Sequence, residues 1–178
     1  MRLFVAINFD RATTDKLYEG VCALRRQSLS ISPSHKENLH LTLCFVGETK
    51  NLRGAVSAMD KVSSPCFSLD IRDYGEFSRS DGSICFAKAQ GGKALTDLAA
   101  SVRSAFCEQG FQIDTKPFRP HITLGRRFIP SPDFSRESIA KLLTIPALRV
   151  TEISLMKSER INGKLTYTEV YKKPLSNI

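Results

Sequence analysis

The stretch KPFRPHITLGRR, residues 116–127, contains a four-residue phrase, HITL, that nearly matches an earlier phrase, HLTL, at residues 40–43. The chain has only three histidines, and two of them, His40 and His121, open these phrases. They stand 81 positions apart (121 − 40). Because matches at one fixed spacing mark a repeated structural unit, the two phrases indicate a fold built from two related halves.

The same offset, applied without a gap, aligns residues well outside the two phrases. It pairs Leu17 with Leu98, Val21 with Val102, Arg79 with Arg160, Gly82 with Gly163, and Phe86 with Tyr167. A chain of 178 residues is long enough to bury a sizeable core. We therefore expect a single two-lobed domain over residues 1–178, with an internal repeat of approximately 12–92 and 93–173.

Hydrophobic periodicity predicts the same order of elements in each half: a helix, a strand, a shorter helix and a β-hairpin. The first helix is expected to start at Thr13 or Thr14, and Gly110 to end its counterpart. The predicted elements are helices 13–26 and 93–109, strands 39–46 and 119–126, helices 50–61 and 134–144, and hairpins 66–74 with 83–89 and 147–157 with 164–172. Asp-Gly and Asn-Gly turns close the hairpins, and an additional strand, 2–9, joins one sheet.

These elements predict an α+β fold of two pseudo-twofold-related lobes, each an antiparallel sheet with helices packed on its outer face. Matching strands then face each other across a cleft, which brings His40 and His121 together. Because side chains alternate along a strand, Thr42 and Thr123 point the same way as the histidines. The expected active site lies in this cleft between the lobes.

The charge balance favours an anionic partner. The net charge is +8 and the pI is near 9.4, so the long-range field attracts nucleic acid or phosphorylated small molecules. A merely soluble basic surface explains the charge equally well, and the position of the charges must decide between the two.

Cysteine usage and the amino terminus favour a cytoplasmic protein. The five cysteines are odd in number, scattered, and never arranged as C-x-x-C, which is typical of reduced thiols rather than of disulfides or a zinc cage. The apolar stretch in MRLFVAINFD is too short for a signal peptide core or a membrane span, and indicates a buried strand.

Two facing histidines suit acid–base catalysis, because the free imidazole pKa of ~6.5 lets one accept a proton while the other donates one. Threonine hydroxyls and cationic side chains bind a tetrahedral oxyanion, and phosphate fits this set best. The sequence contains no phosphate-binding G-x-x-x-x-G-K-[ST] loop, no H-E-x-x-H, no G-x-S-x-G and no carboxylate cluster suited to magnesium. We therefore expect a catalyst that needs neither a metal nor any other cofactor.

At these residues the chain resembles the 2H phosphoesterase superfamily, specifically the bacterial and archaeal RNA 2',3'-cyclic phosphodiesterases, also known as 2'-5' RNA ligases. The resemblance runs from RLFVAI through ENLHLTLCFVGE and FRPHITLGRR to ISLMKSERINGKLTY, over nearly the whole chain. It implies metal-independent hydrolysis of RNA 2',3'-cyclic phosphate ends to 2'-phosphomonoesters. The family motifs H-x-T-x-x-F and H-x-T-x-x-R are both present.

The resemblance also implies the roles of the site residues. His40 is the acid that protonates the leaving O3', and His121 is the base that activates water. Arg126 contacts the phosphate and Phe45 stacks on the nucleobase. Strict strand alternation disagrees, since it turns Phe45 and Arg126 to the opposite face, unless each strand ends, twists or bulges after its motif.

Other residues remain open between two interpretations. Arg119 and Lys116 either steer RNA or are solvated loop charges. Phe118, Tyr74 and Tyr167 are the further aromatic candidates for holding a base.

The same site admits other functions. They are reversible 2'-5' joining of RNA ends, hydrolysis of small cyclic nucleotides, and RNA binding without catalysis. We expect RNA with 2',3'-cyclic phosphate ends as the partner, no membrane, no obligate protein partner, and a monomer.

Overall fold

The computed structural model describes residues 1–176 of the chain. Its elements, in chain order, are β1 (Arg2–Asn8), α1 (Arg11–Arg26), β2 (Ser28–Pro33), a 3₁₀ helix (Lys36–Asn38), β3 (His40–Glu48), α2 (Leu52–Lys61), β4 (Phe67–Phe77), β5 (Ser83–Gln90), α3 (Gly92–Glu108), β6 (His121–Pro130), α4 (Arg136–Leu142), β7 (Ile145–Val150), β8 (Glu152–Ile161) and β9 (Lys164–Pro174). The strands form two sheets, ordered β3-β1-β8-β9 (sheet A) and β2-β6-β5-β4-β7 (sheet B). All neighbouring strands within both sheets pair antiparallel.

Each sheet is covered by two helices, one from each half of the chain. Helices α1 and α4 contact each other and sheet B, whereas α2 and α3 contact each other and sheet A. The predicted α+β fold, with two antiparallel sheets and helices packed against them, is confirmed.

The two sheets exchange strands between the halves of the chain. With the chain divided just before β5, sheet A joins β1 and β3 of the first half to β8 and β9 of the second half. Sheet B joins β5, β6 and β7 of the second half to β2 and β4 of the first half. Strand β1 is not an addition at an edge but a central strand, and it pairs with β3 as β5 pairs with β6. Asn8 lies opposite His40, and Lys88 lies opposite His121. This pairing favours repeat units that begin with β1 and β5, while the bounds 12–92 and 93–173 stay a prediction.

Strand β1 is apolar because both of its faces are covered. Leu3, Val5 and Ile7 belong to the main core, whereas Phe4 and Ala6 lie on the other face in a small cluster with Met156. Full burial of a large apolar side chain contributes roughly 1.5–3 kcal/mol. The burial of both faces therefore fixes β1 at the centre of sheet A.

Both predicted hairpins form, and the turn residues agree fully with the prediction in the second hairpin, whereas in the first only Gly82 has positive φ. In the β8–β9 turn, Asn162 (φ 50°) and Gly163 (φ 79°) both have positive φ, which is the conformation of a tight hairpin turn. Gly82, in the β4–β5 turn, has φ 110°, and a side chain there would meet the backbone of Arg127 at 2.7 Å. After α3, Gly110 (φ 81°) supplies the predicted helix stop.

Three sequence predictions differ from the structure in detail. The N-cap of α1 is Asp10, whose carboxylate accepts a hydrogen bond from the Thr13 amide at 2.8 Å, so the helix starts before Thr13. Strand β6 begins at His121 rather than at residue 119. The predicted strand 147–157 is divided at Thr151 into β7, at the edge of sheet B, and β8, in sheet A.

The edge strand β2 was not predicted. Its sequence, SLSISP, is only partly buried, and it pairs with β6 through an irregular register.

No helix within residues 1–176 is both long and apolar enough to span a bilayer.

Candidate active site

Strands β3 and β6, which carry the two motifs, lie against each other where the two sheets meet. Along β3, His40 and Thr42 are half-buried on one face, and Leu41 is buried on the other. The hydroxyl of Ser34, just before the 3₁₀ helix, donates to the Thr123 carbonyl at 2.8 Å and ties the segment between β2 and β3 to β6.

A β-bulge interrupts the alternation immediately after Thr42. In the pairing with β1, Ala6 lies opposite Thr42 and Val5 opposite Cys44, so Leu43 has no partner residue. The extra residue shifts the side-chain phase by one position. Phe45 therefore returns to the face of His40, where its side chain is 59% exposed and its ring centroid lies 6.5 Å from that of Phe4.

Strand β6 contains the same bulge at the equivalent position. Phe86 lies opposite Thr123 and Cys85 opposite Gly125, which leaves Leu124 unpaired. Arg126 is exposed on the cleft side, and its charge acts on both His40 and His121. Strict alternation was thus wrong for this strand, and a bulge is the physical reason.

Both histidines are oriented by a backbone carbonyl two residues earlier. The Nδ1 atom of His40 lies 2.7 Å from the Asn38 oxygen, and that of His121 lies 2.6 Å from the Arg119 oxygen. A carbonyl can only accept, so Nδ1 carries the proton and Nε2 is left for chemistry. In His40, Nε2 lies 2.9 Å from the Thr42 hydroxyl, which donates to it.

The electrostatic environment lowers both histidine pKa values. Burial is the main cause of the lowered pKa of His40; the charges of His121 and Arg126 add to it, and the Asn38 hydrogen bond opposes it. Burial likewise lowers the pKa of His121, with Arg126 as a second cause and the Arg119 hydrogen bond opposing. The site therefore favours neutral imidazoles, and a bound anion would raise the pKa of the imidazoles and favour protonation of one of them.

Aromatic rings surround His40 on the wall formed by sheet A. The Phe4 ring centroid lies 4.9 Å and the Tyr167 centroid 5.2 Å from the His40 ring. Tyr167 is half-buried, and burial raises the pKa of its hydroxyl. Together with exposed Phe45, these rings make the first wall of the cleft apolar.

The second wall, on sheet B, has a similar arrangement around His121. Phe77 and Phe86 stack with centroids 4.3 Å apart, and they lie 5.2 Å and 5.5 Å from the His121 ring. Gly75 makes room for Phe86, because a side chain there would meet its ring at 2.4 Å. Sequence reasoning missed Phe4 and Phe77, although the pairing of Phe86 with Tyr167 by the repeat offset pointed to two of the four rings.

The remaining predicted residues lie outside the centre of the site. Arg119 is exposed and contributes its carbonyl, not its guanidinium, to His121. Lys116 is exposed and forms an ion pair with Asp114 at 3.0 Å. Tyr74 is fully buried against Cys85, and Phe118 packs against the main core. Of the three additional aromatic candidates, only Tyr167 lies beside a histidine.

No metal-binding cluster of three or more histidine, cysteine or carboxylate side chains occurs in the described part of the chain. Cys22, Cys44, Cys85 and Cys107 are free thiols. The groups in the cleft are thus two imidazoles, two hydroxyls, a guanidinium and aromatic rings.

The family model of the 2'-5' RNA ligase superfamily matches residues 14–162. The chain belongs to this superfamily, and the resemblance inferred from the two motifs is confirmed.

Named relatives and solved structures extend the comparison. The Escherichia coli RNA 2',3'-cyclic phosphodiesterase is 32% identical over 76% of this chain and 75% of its own length. The enzyme of the same name from Methanothermobacter thermautotrophicus is 25% identical, with 96% of both chains covered. A structure from Thermus thermophilus superposes with a TM-score of 0.81 at 27% identity, covering 99% of each chain. The E. coli LigT apo structure gives a TM-score of 0.79 at 25% identity, covering 99% of this chain and 98% of that one.

Proposed function

We propose that this protein hydrolyses RNA 2',3'-cyclic phosphate ends to 2'-phosphomonoesters by metal-independent acid–base catalysis. The observation that carries the proposal is the matched orientation of the two histidines. In each ring the carbonyl two residues upstream, Asn38 or Arg119, holds Nδ1, which leaves Nε2 as the nitrogen that exchanges protons with substrate.

In the proposed reaction, Nε2 of neutral His121 takes a proton from water as the water oxygen attacks phosphorus. The bond between phosphorus and O3' breaks, and protonated His40 gives its Nε2 proton to O3'. The five-membered cyclic ester places the leaving oxygen nearly in line with the attacking water. The 2'-phosphomonoester is the product, with the ribose 3'-hydroxyl free.

Phosphate binding supplies the proton state that this reaction requires. The free site lowers the pKa of His40, whereas an acid must be protonated to act. A bound phosphate monoanion offsets the neighbouring positive charges and favours the imidazolium form of His40. Arg126 contacts two phosphate oxygens in the proposed complex, and the hydroxyls of Thr42 and Thr123 contact the others.

Phe45 is proposed to stack on the nucleobase, and its exposure allows a test. Phe45→Ala should raise KM for cyclic-phosphate substrates about tenfold, because stacking of a base on an aromatic ring contributes about 1–3 kcal/mol. Its effect on the free energy of unfolding should stay within about 0.5 kcal/mol, as for other exposed positions. Steady-state kinetics and denaturant unfolding measure the two effects.

Leu142→Ala is the matched control, since Leu142 is an exposed apolar residue on α4, which packs on sheet B. It should leave KM unchanged. A loss of 3–5 kcal/mol in Phe45→Ala with unaltered KM would show that the ring is a core residue and not a base contact.

Product identification is the direct test of the proposed reaction. The protein is incubated with a defined oligoribonucleotide ending in a 2',3'-cyclic phosphate, with excess chelator present. We expect a 2'-phosphorylated end and an undiminished rate. A 3'-phosphate product would contradict the assignment of O3' as leaving group, and loss of activity in chelator would contradict metal independence.

A second arm of that experiment distinguishes ligation from hydrolysis. The membership of the chain in the 2'-5' RNA ligase superfamily makes a 5'-hydroxyl oligomer the relevant second substrate. Joined product forms if the 5'-hydroxyl replaces water as the attacking group at the same phosphorus. We expect hydrolysis to dominate, because water is in large excess over any 5'-hydroxyl end.

A further inference from the structure

Arg2 lies on the cleft face of sheet A, beyond the aromatic wall. Along β1, Phe4 and Ala6 face the cleft while Leu3 and Val5 enter the main core. Side chains two residues apart share a face, so Arg2 continues the row of Phe4. Arg2 is exposed, and Phe4 touches the His40 ring with centroids 4.9 Å apart.

The strands on the other side of β1 place a hydroxyl next to Arg2. The pairing of β1 with β8 is regular, and it sets Arg2 opposite Ser158. Ser158 in turn lies opposite Tyr167 on β9. The charge of Arg2 acts on the Tyr167 hydroxyl and opposes the rise of its pKa. Arg2, Ser158 and Tyr167 thus form one cross-strand row at the outer end of the cleft.

Neither Arg2 nor Ser158 uses its side chain inside the protein. Within residues 1–176, neither side chain forms an ion pair or a side-chain hydrogen bond. Two nearby lysines, in contrast to Arg2, form ion pairs: Lys157 pairs with Glu159 at 2.8 Å, and Lys164 pairs with Glu37 at 3.3 Å. On the β3 side, Glu48 lies opposite Arg2 and pairs with the amino group of Met1 at 3.5 Å. A guanidinium beside a hydroxyl, both free of side-chain partners, can bind a phosphate.

We propose that Arg2 and Ser158 bind the next phosphodiester of the RNA strand, the one on the 5' side of the terminal nucleotide. This inference rests on the proposed function, and it makes the pair the feature that distinguishes an RNA end from a cyclic mononucleotide. A mononucleotide has a single phosphate, which Arg126 and the histidines bind. Arg2 stands about 7 Å along β1 from Phe4, so a second phosphate reaches it only in a longer strand.

Arg2→Gln tests the proposal through the preference for longer substrates. The measured quantity is kcat/KM for a cyclic-phosphate oligoribonucleotide divided by kcat/KM for the matching cyclic mononucleotide. Arg2→Gln should lower this ratio about tenfold, and Ser158→Ala about threefold. The slope of log KM against log salt for the oligomer should fall by about 0.7 on loss of one phosphate contact.

Arg53→Gln is the control, because Arg53 is exposed on α2, which packs against sheet A from its core side. It removes the same charge and should leave the ratio unaltered. An equal ratio in Arg2→Gln and the wild type, or an equal fall in Arg53→Gln, would overturn the proposal.

Binding separates this proposal from the proposed function. The affinities of a 2'-phosphorylated oligoribonucleotide and of a nucleoside 2'-phosphate are measured by calorimetry, which needs no turnover. If the wild type hydrolyses neither cyclic substrate, the proposed function fails. The Arg2 proposal then stands or falls by whether Arg2→Gln weakens the oligomer about tenfold more than the mononucleotide.

Discussion

Replacing either His40 or His121 with alanine is expected to lower kcat/KM for a cyclic-phosphate RNA by about 10²–10⁴-fold, the usual contribution of a positioned general acid or base. The two losses should not add, because both histidines act in the same proton-transfer sequence. Both rings are only partly buried, so the variants should keep their fold and much of their affinity for phosphate.

The pH dependence distinguishes the two roles. The wild type should give a bell-shaped profile of kcat/KM, since the base must be neutral and the acid must be protonated. His121→Ala should lose the acidic limb, along which activity rises as the base loses its proton. His40→Ala should lose the alkaline limb, along which activity falls as the acid loses its proton.

His35→Ala is the matched control, because His35 is the third histidine and is exposed before the 3₁₀ helix. It should retain wild-type turnover and the same pH profile. Wild-type turnover in either His40→Ala or His121→Ala, with the fold intact, would rule out the acid–base pair. It would favour a scaffold that binds RNA without catalysis.

The second large effect is expected from Arg126→Gln. Loss of a charged donor to the reacting phosphate should lower kcat/KM by about 10²–10³-fold. Both limbs of the remaining pH profile should also move to higher pH. The reason is that Arg126 helps to lower the pKa of His40 and His121, and removal of a positive charge favours the protonated imidazoles.

Arg126→Lys refines the test, because it keeps the charge but not the two-pronged geometry. Its pH limbs should stay close to those of the wild type while its activity is still reduced. Arg127→Gln is the control, since Arg127 is exposed and paired with Asp81 at 3.3 Å. Unshifted limbs in Arg126→Gln would show that this guanidinium does not face the histidines.

Most of the strands and helices were predictable from the sequence, and so was the packing of β3, which carries His40, against β6, which carries His121. Periodicity and turn residues are local signals, and the repeat offset supplied one long-range relation. The Asn162-Gly163 turn shows how strong such a local signal is, since both residues adopt the expected positive φ.

The bulges at Leu43 and Leu124 were not predictable from alternation. Their only trace in the sequence is the spacing of the motif, because Phe45 and Arg126 stand three residues after a threonine rather than two or four. An odd spacing between residues of one site indicates a bulge when both residues lie on one strand.

Local signals in the sequence also could not predict which strands pair with each other when they lie far apart in the chain. Nothing within residues 145–161 shows that the segment leaves one sheet at Thr151 and enters the other. The strand β2 was missed because its partly exposed sequence lacks a hydrophobic pattern. Tyr74 was a plausible base contact by residue type, but the hairpin register directs it into the core.

The crossing of β4 and β8 between the sheets constrains how the protein can move and how it could have arisen. The two halves of the chain cannot separate as rigid units, since each sheet contains hydrogen-bonded strands from both halves. A chain with a single copy of the motif would lack the strand that completes its sheet, and it could obtain that strand only from a second copy. Each copy of the duplicated unit therefore depends on strands of the other copy for a complete sheet.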